Sequence, residues 1–277
     1  MPVHFTATAL TRAPLPPRKR AQALVCLSMW FVLLTGCDPF HTGFDDVEDA
    51  QVYTAATLTP VADDSPTTLN VMNWNAKYGA GRIDFFFDCH GDRALRNAQE
   101  VEANLDALAA KINQVDPDVL LLQEIDVNSK RAAYIDQVQY LLDKTDLNHA
   151  VYASQWRADY VPSDGVGPVD SGNAIFSKYP LKNATRVAMP PIASQDAITR
   201  YFYLKRNMLI ADVDVGRDDV VVVNVHTAAY STDGTKREQI DLFKAKLDEL
   251  SGQGKVVLGG GDLNALPPGS EQLQGFD

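Results

Sequence analysis

Four short apolar stretches of the sequence each end on polar or ionisable side chains. The stretches and these side chains are 69–75 with Asn75, 118–124 with Glu124, 220–226 with His226, and 255–264 with Asp262 and Asn264. The last pair follows three glycines, and residues two apart on an extended backbone point to the same side. A carboxylate and an amide are therefore expected to face one site, although three glycines and an aspartate on their own are equally typical of a plain strand-to-loop turn.

The types of these side chains indicate which chemistry the strand ends could perform. Asn75 and Glu124 offer oxygen ligands, which suit a hard divalent cation such as Mg²⁺. His226, Asp262 and Asn264 suit proton transfer and the orientation of a nucleophile or a phosphate. Because ligands collect at the carboxyl ends of strands in α/β sheets, the sequence predicts one site built from these residues.

Amphipathic helices separate the stretches and are expected to cover the sheets that position the site. Apolar residues recur at three- and four-residue steps from Val101 to Val115, which predicts a helix between the first two strands. The same spacing predicts helices at about 132–142 and 240–250. Residues 69–124 therefore read as a strand-helix-strand unit.

Five polar motifs occur in an order that resembles a known family. They are Asn75, Gln123-Glu124, Ser171-Gly172-Asn173-Ala174-Ile175, Asn224-Val225-His226 and Gly261-Asp262-Leu263-Asn264. Together they resemble the endonuclease/exonuclease/phosphatase superfamily, which contains deoxyribonuclease-type nucleases, neutral sphingomyelinases and inositol polyphosphate 5-phosphatases. The resemblance extends from about Leu69 to the end of the chain. It implies an α/β fold, a four-layer two-sheet sandwich of mixed, mostly antiparallel sheets with flanking helices, and a site at one end of the paired sheets.

The resemblance also implies an enzyme, a metal-dependent hydrolase of phosphoesters and in particular of phosphodiesters. Glu124, helped by Asn75, would hold Mg²⁺, or alternatively Mn²⁺, against a phosphoryl oxygen. Asp262 would orient or deprotonate the attacking water, and Asn264 would hold the phosphate or the nucleophile. His226 would hydrogen-bond the scissile phosphate or, in a bolder version, give a proton to the leaving oxygen. The substrate could be a nucleic acid, a lipid head group or a sugar phosphate.

Two further residues are predicted to bind substrate. Asn173, in the Gly-Asn-Ala-Ile strand, is expected at the rim of the site, or else it only caps a turn. Arg206 could grip a phosphate through paired hydrogen bonds from its planar guanidinium, and it could equally be a surface ion-pair residue. Residues 199–214 start basic and aromatic and then alternate, so we predict a strand whose first residues reach the cleft.

The sequence departs from the family pattern near its end. That pattern continues to a further aspartate and then to an Asp-His pair, and no histidine follows Asn264 in this sequence. We therefore expect the family domain, at 69–277, to be C-terminally incomplete. This leaves two alternatives to a working hydrolase, namely a non-catalytic lipoprotein that binds a phosphorylated ligand and an inactive fragment that lacks the terminal catalytic histidine.

The N-terminal region resembles a bacterial lipoprotein signal. A basic segment is followed by an apolar core at 21–34, which is too short for a comfortable membrane span, and then by Gly36-Cys37. We expect a signal peptide at 1–36, a lipid on Cys37, and a protein that is exported and anchored to a bacterial membrane on the periplasmic or cell-surface side. The alternative is an ordinary secretory signal or a weak anchor, with Cys37 incidental. Residues 37–68, rich in Asp, Thr, Pro and Ala, fit a flexible acidic tether.

The charge of the chain bears on its partners. The formal net charge is −11. Residues 1–36 hold four basic and no acidic side chains, so without them 21 basic residues would face 36 acidic ones, giving −15. Because duplex affinity comes largely from Lys and Arg that neutralise phosphates, this balance disfavours a nucleic acid without excluding one. The membrane is expected as a partner through the anchor, and no protein partner is inferred.

Overall fold

The apolar stretches form strands in the computed structural model, which describes residues 38–81, 93–217, 219–229, 231–267 and 269–270. The strands in these ranges are β1 (Val47–Asp49), β2 (Gln51–Thr54), β3 (Val71–Asn75), β4 (Val119–Asp126), β5 (His149–Val161), β6 (Gly167–Ser177), β7 (Leu181–Ala188), β8 (Asn207–Val213), β9 (Val220–His226) and β10 (Val256–Asp262). All of them belong to one unit, Phe40–Asp277.

The helices fall between the strands, and the apolar spacing predicts three of them, although the one expected at about 132–142 is limited to Gln137–Leu142. The α-helices are α1 (Ala98–Val115), α2 (Gln137–Leu142), α3 (Ala197–Phe202) and α4 (Thr235–Gly252), and short 3₁₀ turns occupy Lys77–Gly79 and Lys130–Ala132. A capping box starts α1, because the Asn97 side chain accepts from the backbone of Glu100 while the Glu100 side chain accepts from the backbone of Asn97. None of the described helices combines the length and the apolar character that crossing a membrane requires.

The strands pair into two five-stranded sheets. The strand order is β1-β7-β8-β9-β10 in the first sheet and β2-β5-β6-β4-β3 in the second. β3 runs parallel to β4, and β9 runs parallel to β10, whereas the other neighbours are antiparallel. Because parallel strands finish at the same edge of a sheet, each sheet brings two of the polar strand ends together.

Alternating side chains of the central strands divide the core into layers. Leu121 of β4 and Val222 of β9 pack between the two sheets. Leu122, on the opposite face of β4, packs beneath α1 and α2. Val223, on the opposite face of β9, packs against Phe243 of α4. The layer order of helices, sheet, sheet and helix confirms the expected four-layer α/β sandwich.

The expected tether at 37–68 is wrong for the residues that the structure describes as strands. β1 pairs with β7 of the first sheet, and β2 pairs with β5 of the second. Between them Ala50 is buried, and so is Tyr53 within β2. These strands are three and four residues long, so backbone pairing with longer strands orders them more than their own apolar content does. The folded unit therefore begins well before Leu69.

The strand expected over 199–214 is wrong in its first part. Residues 197–202 form α3, and β8 starts only at Asn207. Asp196 caps the helix, because its Oδ1 accepts the backbone N–H groups of Ile198 and Thr199, each at 3.0 Å. A side chain that satisfies the first free N–H groups favours a helix over the extended chain that the alternation suggests.

Candidate functional site

A layer of side-chain amides, buried at Gln123 and Asn224, joins the two sheets just before the polar strand ends. Nε2 of Gln123 donates to Oδ1 of Asn224 at 2.7 Å and to Oδ1 of Asn73 at 2.9 Å. Nδ2 of Asn224 donates to the carbonyl oxygens of Leu122 and Ala174, each at 2.8 Å. The buried amides of Gln123 and Asn224 have hydrogen-bond partners for every group except Oε1 of Gln123, which is buried without one among the described residues. The layer therefore fixes how β3, β4, β6 and β9 stand relative to one another.

Glu124 reaches the site through an irregularity in β4. In a regular strand its side chain would point to the same face as Leu122, toward the helices. Instead the backbone of Glu124 has a φ of 53°, and the pairing with β6 shifts between Leu122 and Ile125. Bulges of this kind redirect side chains, and strained backbone of this kind clusters at functional sites. The bulge turns the carboxylate toward the ends of β3 and β10.

Asp262 and Asn264 are held where β10 runs alongside β9. Gly261 has a φ of 143°, and a Cβ at this position would lie 1.9 Å from the carbonyl oxygen of Val225, so only glycine allows this approach. Oδ1 of Asp262 accepts the backbone N–H of Asn264 at 2.9 Å. Nδ2 of Asn264 in turn donates to the carbonyl of Thr227, also at 2.9 Å. The loop after β10 is therefore fixed against the end of β9.

The polar ends of the four strands meet at one point. Nδ2 of Asn75 donates to Oε1 of Glu124 and to Oδ2 of Asp262, at 2.9 Å in both cases. Nε2 of His226 lies 3.7 Å from the same oxygen of Asp262 and 3.9 Å from the same oxygen of Glu124. Oδ1 of Asn75 accepts the backbone N–H of Lys77 at 2.9 Å, which determines that the amide nitrogen faces the carboxylates.

His226 and Arg206 form a buried, basic side of this cluster. Burial, together with the positive charge of Arg206, lowers the pKa of His226 well below its usual value, so the imidazole is neutral at neutral pH. Nδ1 of His226 and Nε of Arg206 are buried and have no hydrogen-bond partner among the described residues. Burial also lowers the pKa of Arg206, but the guanidinium keeps its positive charge at neutral pH. The negative charges of Glu124 and Asp262 oppose this decrease in pKa.

An open cleft of about 700 Å³ lies over the meeting point, lined by Asn73, Trp74, Asn75, Gln123, Gly261, Asp262, Leu263, Asn264, Ala265 and Leu266. The described residues contain no group of three or more His, Cys, Asp or Glu side chains arranged to hold a metal ion. Glu124 and Asp262 still fit one Mg²⁺, because both carboxylates approach the same nitrogen and Mg²⁺ is commonly held by one or two carboxylates and several waters. Asn75 presents its nitrogen here, whereas ligation would require its oxygen.

The structure brings Asn75, Glu124, Arg206, His226, Asp262 and Asn264 together, and it does not place Asn173 at the rim. Asn173 is fully buried, accepts a hydrogen bond from Gln155 at 2.6 Å and donates to Asn207 at 3.2 Å. It therefore lies behind Arg206 rather than in the cleft. Arg206 is also not a surface ion-pair residue, since it is 6% exposed. Cys37 lies outside the described residues.

Sequence patterns missed one residue of this region. Gln155 of β5 is buried, and its Oε1 accepts a hydrogen bond from Nη1 of Arg206 at 3.1 Å. The signal that could have found it is an amide side chain in the mostly apolar segment 150–158. A buried amide in such a run must find partners, and partners in the core are few.

Comparisons with known proteins bear on the fold. The model of the Endonuclease/Exonuclease/phosphatase family matches residues 72–271. An endonuclease/exonuclease/phosphatase from Beutenbergia cavernae DSM 12333 is 21% identical with a TM-score of 0.50, over 71% of this chain and 47% of that one. ANGEL2, a 2',3'-cyclic phosphatase in complex with adenosine-2',3'-vanadate, is 17% identical with a TM-score of 0.49, over 80% of this chain and 58% of that one. The human Nocturnin catalytic domain with bound sulfate anion is 16% identical with a TM-score of 0.46, over 79% and 69%.

The first of these structures resembles the chain in fold, and the chain spans about half of its length. No curated protein sequence matches the chain significantly.

Proposed function

Because the chain belongs to the Endonuclease/Exonuclease/phosphatase family, we propose that it is a metal-dependent phosphoester hydrolase. The observation that carries the proposal is the convergence of two carboxylates on one point beside a buried, neutral histidine and a buried arginine. An acidic side suits a cation, and a basic side suits a phosphoryl group. The two sides adjoin, as hydrolysis of a phosphoester requires.

The acidic side would hold the metal. Glu124 and Asp262 would supply carboxylate oxygens to Mg²⁺, or to Mn²⁺, and the amide of Asn75 would keep the two carboxylates together. When bound, such a cation acts as a Lewis acid on a phosphoryl oxygen. Asp262 also accepts the N–H of Asn264, so its position does not depend on the cation alone. From that position it would orient the attacking water or take its proton.

The basic side would bind the phosphoryl group. The guanidinium of Arg206 has a buried Nε–H with no partner among the described residues, and such a donor suits a phosphate oxygen. His226 is neutral, so one of its nitrogens can donate a hydrogen bond and the other can accept one. It would hydrogen-bond the scissile phosphate. Asn264, at the lip of the cleft, would help to hold the phosphate or the water. Small phosphoesters and lipid head groups suit the negative net charge better than a duplex does.

Hydrolysis of bis(p-nitrophenyl) phosphate by the full chain would test the proposal. We expect activity with Mg²⁺, loss of activity in EDTA, and a fall of about 100-fold or more in Glu124→Gln, since a neutral amide is a poorer ligand and changes the charge of the site. Glu102→Gln is the matched control, because Glu102 is an exposed residue of α1, and it should keep full activity.

The metal should also be followed by calorimetry in the same variants. Mg²⁺ binding that is lost in Glu124→Gln, together with hydrolysis, supports the hydrolase. A folded chain that binds Mg²⁺ and sulfate but turns over no diester would favour the alternative of a phospho-ligand-binding protein. A folded chain that binds no Mg²⁺ would contradict the metal-dependent proposal.

We also propose that the protein is exported and lipid-anchored through Cys37. The basic segment, the apolar core at 21–34 and Gly36-Cys37 support this proposal. Expression of the full chain in a bacterium with a labelled fatty acid should label the protein, and Cys37→Ser should abolish the label. Cys26→Ser is the control and should keep it. Equal labelling of the wild type and Cys37→Ser would contradict the anchor.

A further inference from the structure

Arg206 is a buried cation whose guanidinium is only partly satisfied by hydrogen bonds. Among the described residues it forms no ion pair, and its hydrogen bond goes to Oε1 of Gln155, a neutral acceptor, at 3.1 Å. A buried charge is costly unless its donors are satisfied. Arg186, which is also buried without an ion pair, donates to three backbone carbonyls, whereas Nε of Arg206 has no partner among the described residues. Because Gln155 holds the guanidinium without neutralising it, Arg206 keeps its charge for an anion.

The amide of Gln155 belongs to a hydrogen-bonded series whose direction is determined at both ends. Nδ2 of Asn207 donates to the carbonyl of Ser154 at 2.9 Å, and a carbonyl can only accept. Nδ2 of Asn173 donates to Oδ1 of Asn207 at 3.2 Å, and Nε2 of Gln155 donates to Oδ1 of Asn173 at 2.6 Å. Oε1 of Gln155 is thereby left for Arg206, which can only donate.

The backbone places Gln155 specifically for this contact. The pairing of β5 with β6 shifts between Ser154 and Trp156, so Gln155 is the extra residue of a bulge. Its carbonyl accepts the backbone N–H of Lys205 at 2.6 Å. The residue that bonds the guanidinium therefore also fastens the chain segment immediately before Arg206.

We infer that Gln155 is a positioning residue, which orients Arg206 toward the phosphoryl group through the amide series of Asn207 and Asn173. The inference rests on the proposed function, since it assumes that Arg206 binds a phosphate-like anion. It also gives Asn173 a role, as the residue that sets the direction of the Gln155 amide. Gln155 does not touch the substrate in this arrangement and acts through Arg206.

Sulfate binding to the full chain is the test, measured by calorimetry in Mg²⁺ and again in EDTA. Sulfate replaces the phosphoryl group and needs no turnover, so the result does not depend on hydrolysis. Gln155→Met keeps the length of the side chain and removes the acceptor. We expect it to weaken sulfate binding about ten-fold, because hydrogen bonds to charged groups contribute more than neutral ones.

The double variant shows whether Gln155 acts through Arg206. Arg206→Gln alone should weaken sulfate binding at least as much as Gln155→Met does. Adding Gln155→Met to Arg206→Gln should then have no further effect, since two residues that act as one unit are not additive. Asn148→Leu is the matched control. It removes a buried amide just before the start of β5, which donates to the carbonyls of Thr59 and Lys178, and it should leave sulfate affinity unchanged.

Gln155→Glu keeps the test decisive if Gln155→Met fails to fold. This variant preserves the size and the acceptor but adds a negative charge beside Arg206, so it should weaken sulfate binding even though the guanidinium keeps a partner. Unchanged sulfate affinity in both Gln155 variants, additive losses in the double variant, or no sulfate binding by the folded wild type would each overturn the inference. Failure of the proposed function appears separately, as an inactive chain in the diester assay.

Discussion

The two sides of the site differ in how deeply the protein buries them. On the basic side, the side chain of His226 is 4% exposed and Arg206 is 6% exposed. On the acidic side, the side chains of Glu124 and Asp262 are 31% and 29% exposed. β9, which carries His226, is buried along its whole length, whereas β10, which carries Asp262, lies at the edge of its sheet and is only partly covered.

This difference matches the ligand that we propose for each side. A buried guanidinium with a neutral partner cannot be satisfied by bulk water, so it favours an anion that brings its own charge. Partly exposed carboxylates stay solvated without a ligand, so they can take up and release a cation at little structural cost. Among the described residues, the proposed anion side therefore lies in the core, and the proposed cation side is open to solvent.

The largest effect should come from Asp262→Asn, on activity and not on stability. We expect hydrolysis of the chromogenic diester to fall about 1000-fold, because a general base and a metal ligand are lost together. The free energy of unfolding in urea should stay the same or rise slightly, since two neighbouring carboxylates no longer repel each other.

Asp214→Asn is the matched control for this prediction. The side chain of Asp214 is also 29% exposed, and it pairs with Lys182 at 2.7 Å just beyond the end of β8. Activity should be unchanged, and the free energy of unfolding should fall by less than about 1 kcal/mol, as for other exposed pairs. If Asp262→Asn keeps activity within ten-fold of the wild type, the acidic side does not perform the chemistry.

Replacing one buried and one partly exposed asparagine should lower the free energy of unfolding by different amounts. Asn224→Ala should lower the free energy of unfolding by about 3 kcal/mol, since Gln123 and two buried carbonyls lose its hydrogen bonds. Asn75→Ala, at the edge of the second sheet, should lower it by less than about 1 kcal/mol, because water can replace the amide. Urea unfolding of both variants checks this. Equal losses would show that burial does not distinguish the two regions.

Mg²⁺ should stabilise the protein only by binding to the partly exposed carboxylates of Glu124 and Asp262. At Mg²⁺ concentrations of about 100 times Kd, the free energy of unfolding should rise by about 2.7 kcal/mol and Tm should increase by several degrees. Glu124→Gln should abolish this shift, and the exposed Glu102→Gln should retain it. An equal shift in Glu124→Gln would show that Mg²⁺ binds elsewhere in the protein.

The same contrast explains how much the sequence could predict. Asn75, Glu124, His226 and Asp262 could be found because each follows an apolar run, and because parallel pairing brings the ends of β3 and β4, and of β9 and β10, to one edge. The two-sheet sandwich with outer helices could be predicted for a different reason, namely the resemblance of the five ordered motifs to the family. The site residues depend on local pattern plus one rule about strand ends, whereas the fold prediction depends on the resemblance.

The errors concern features that only tertiary contacts determine. β1 and β2 are too short to show a pattern, and partners distant in sequence order them. Asn173 is expected at the rim because it belongs to the Gly-Asn-Ala-Ile strand, yet hydrogen bonds with Gln155 and Asn207 keep it in the core. Gln155 itself sits on a bulge, and a bulge changes side-chain direction without changing composition.

The smallest predicted effect concerns Trp74 and would narrow the class of substrate. Trp74 is 40% exposed on the edge strand β3 and lines the cleft, so Trp74→Ala should leave the free energy of unfolding nearly unchanged. If a base or aromatic group of the substrate stacks on it, KM should rise about five-fold, since stacking contributes roughly 1 kcal/mol or more. A small sugar phosphate should show no such rise in KM.

Trp156→Ala is the contrasting variant. Trp156 is buried and donates a hydrogen bond to the Phe202 carbonyl at 2.7 Å, so its replacement should lower the free energy of unfolding by about 3 kcal/mol. Destabilisation of similar size in both variants would show that Trp74 belongs to the packed core, and it would contradict a role for Trp74 in substrate binding.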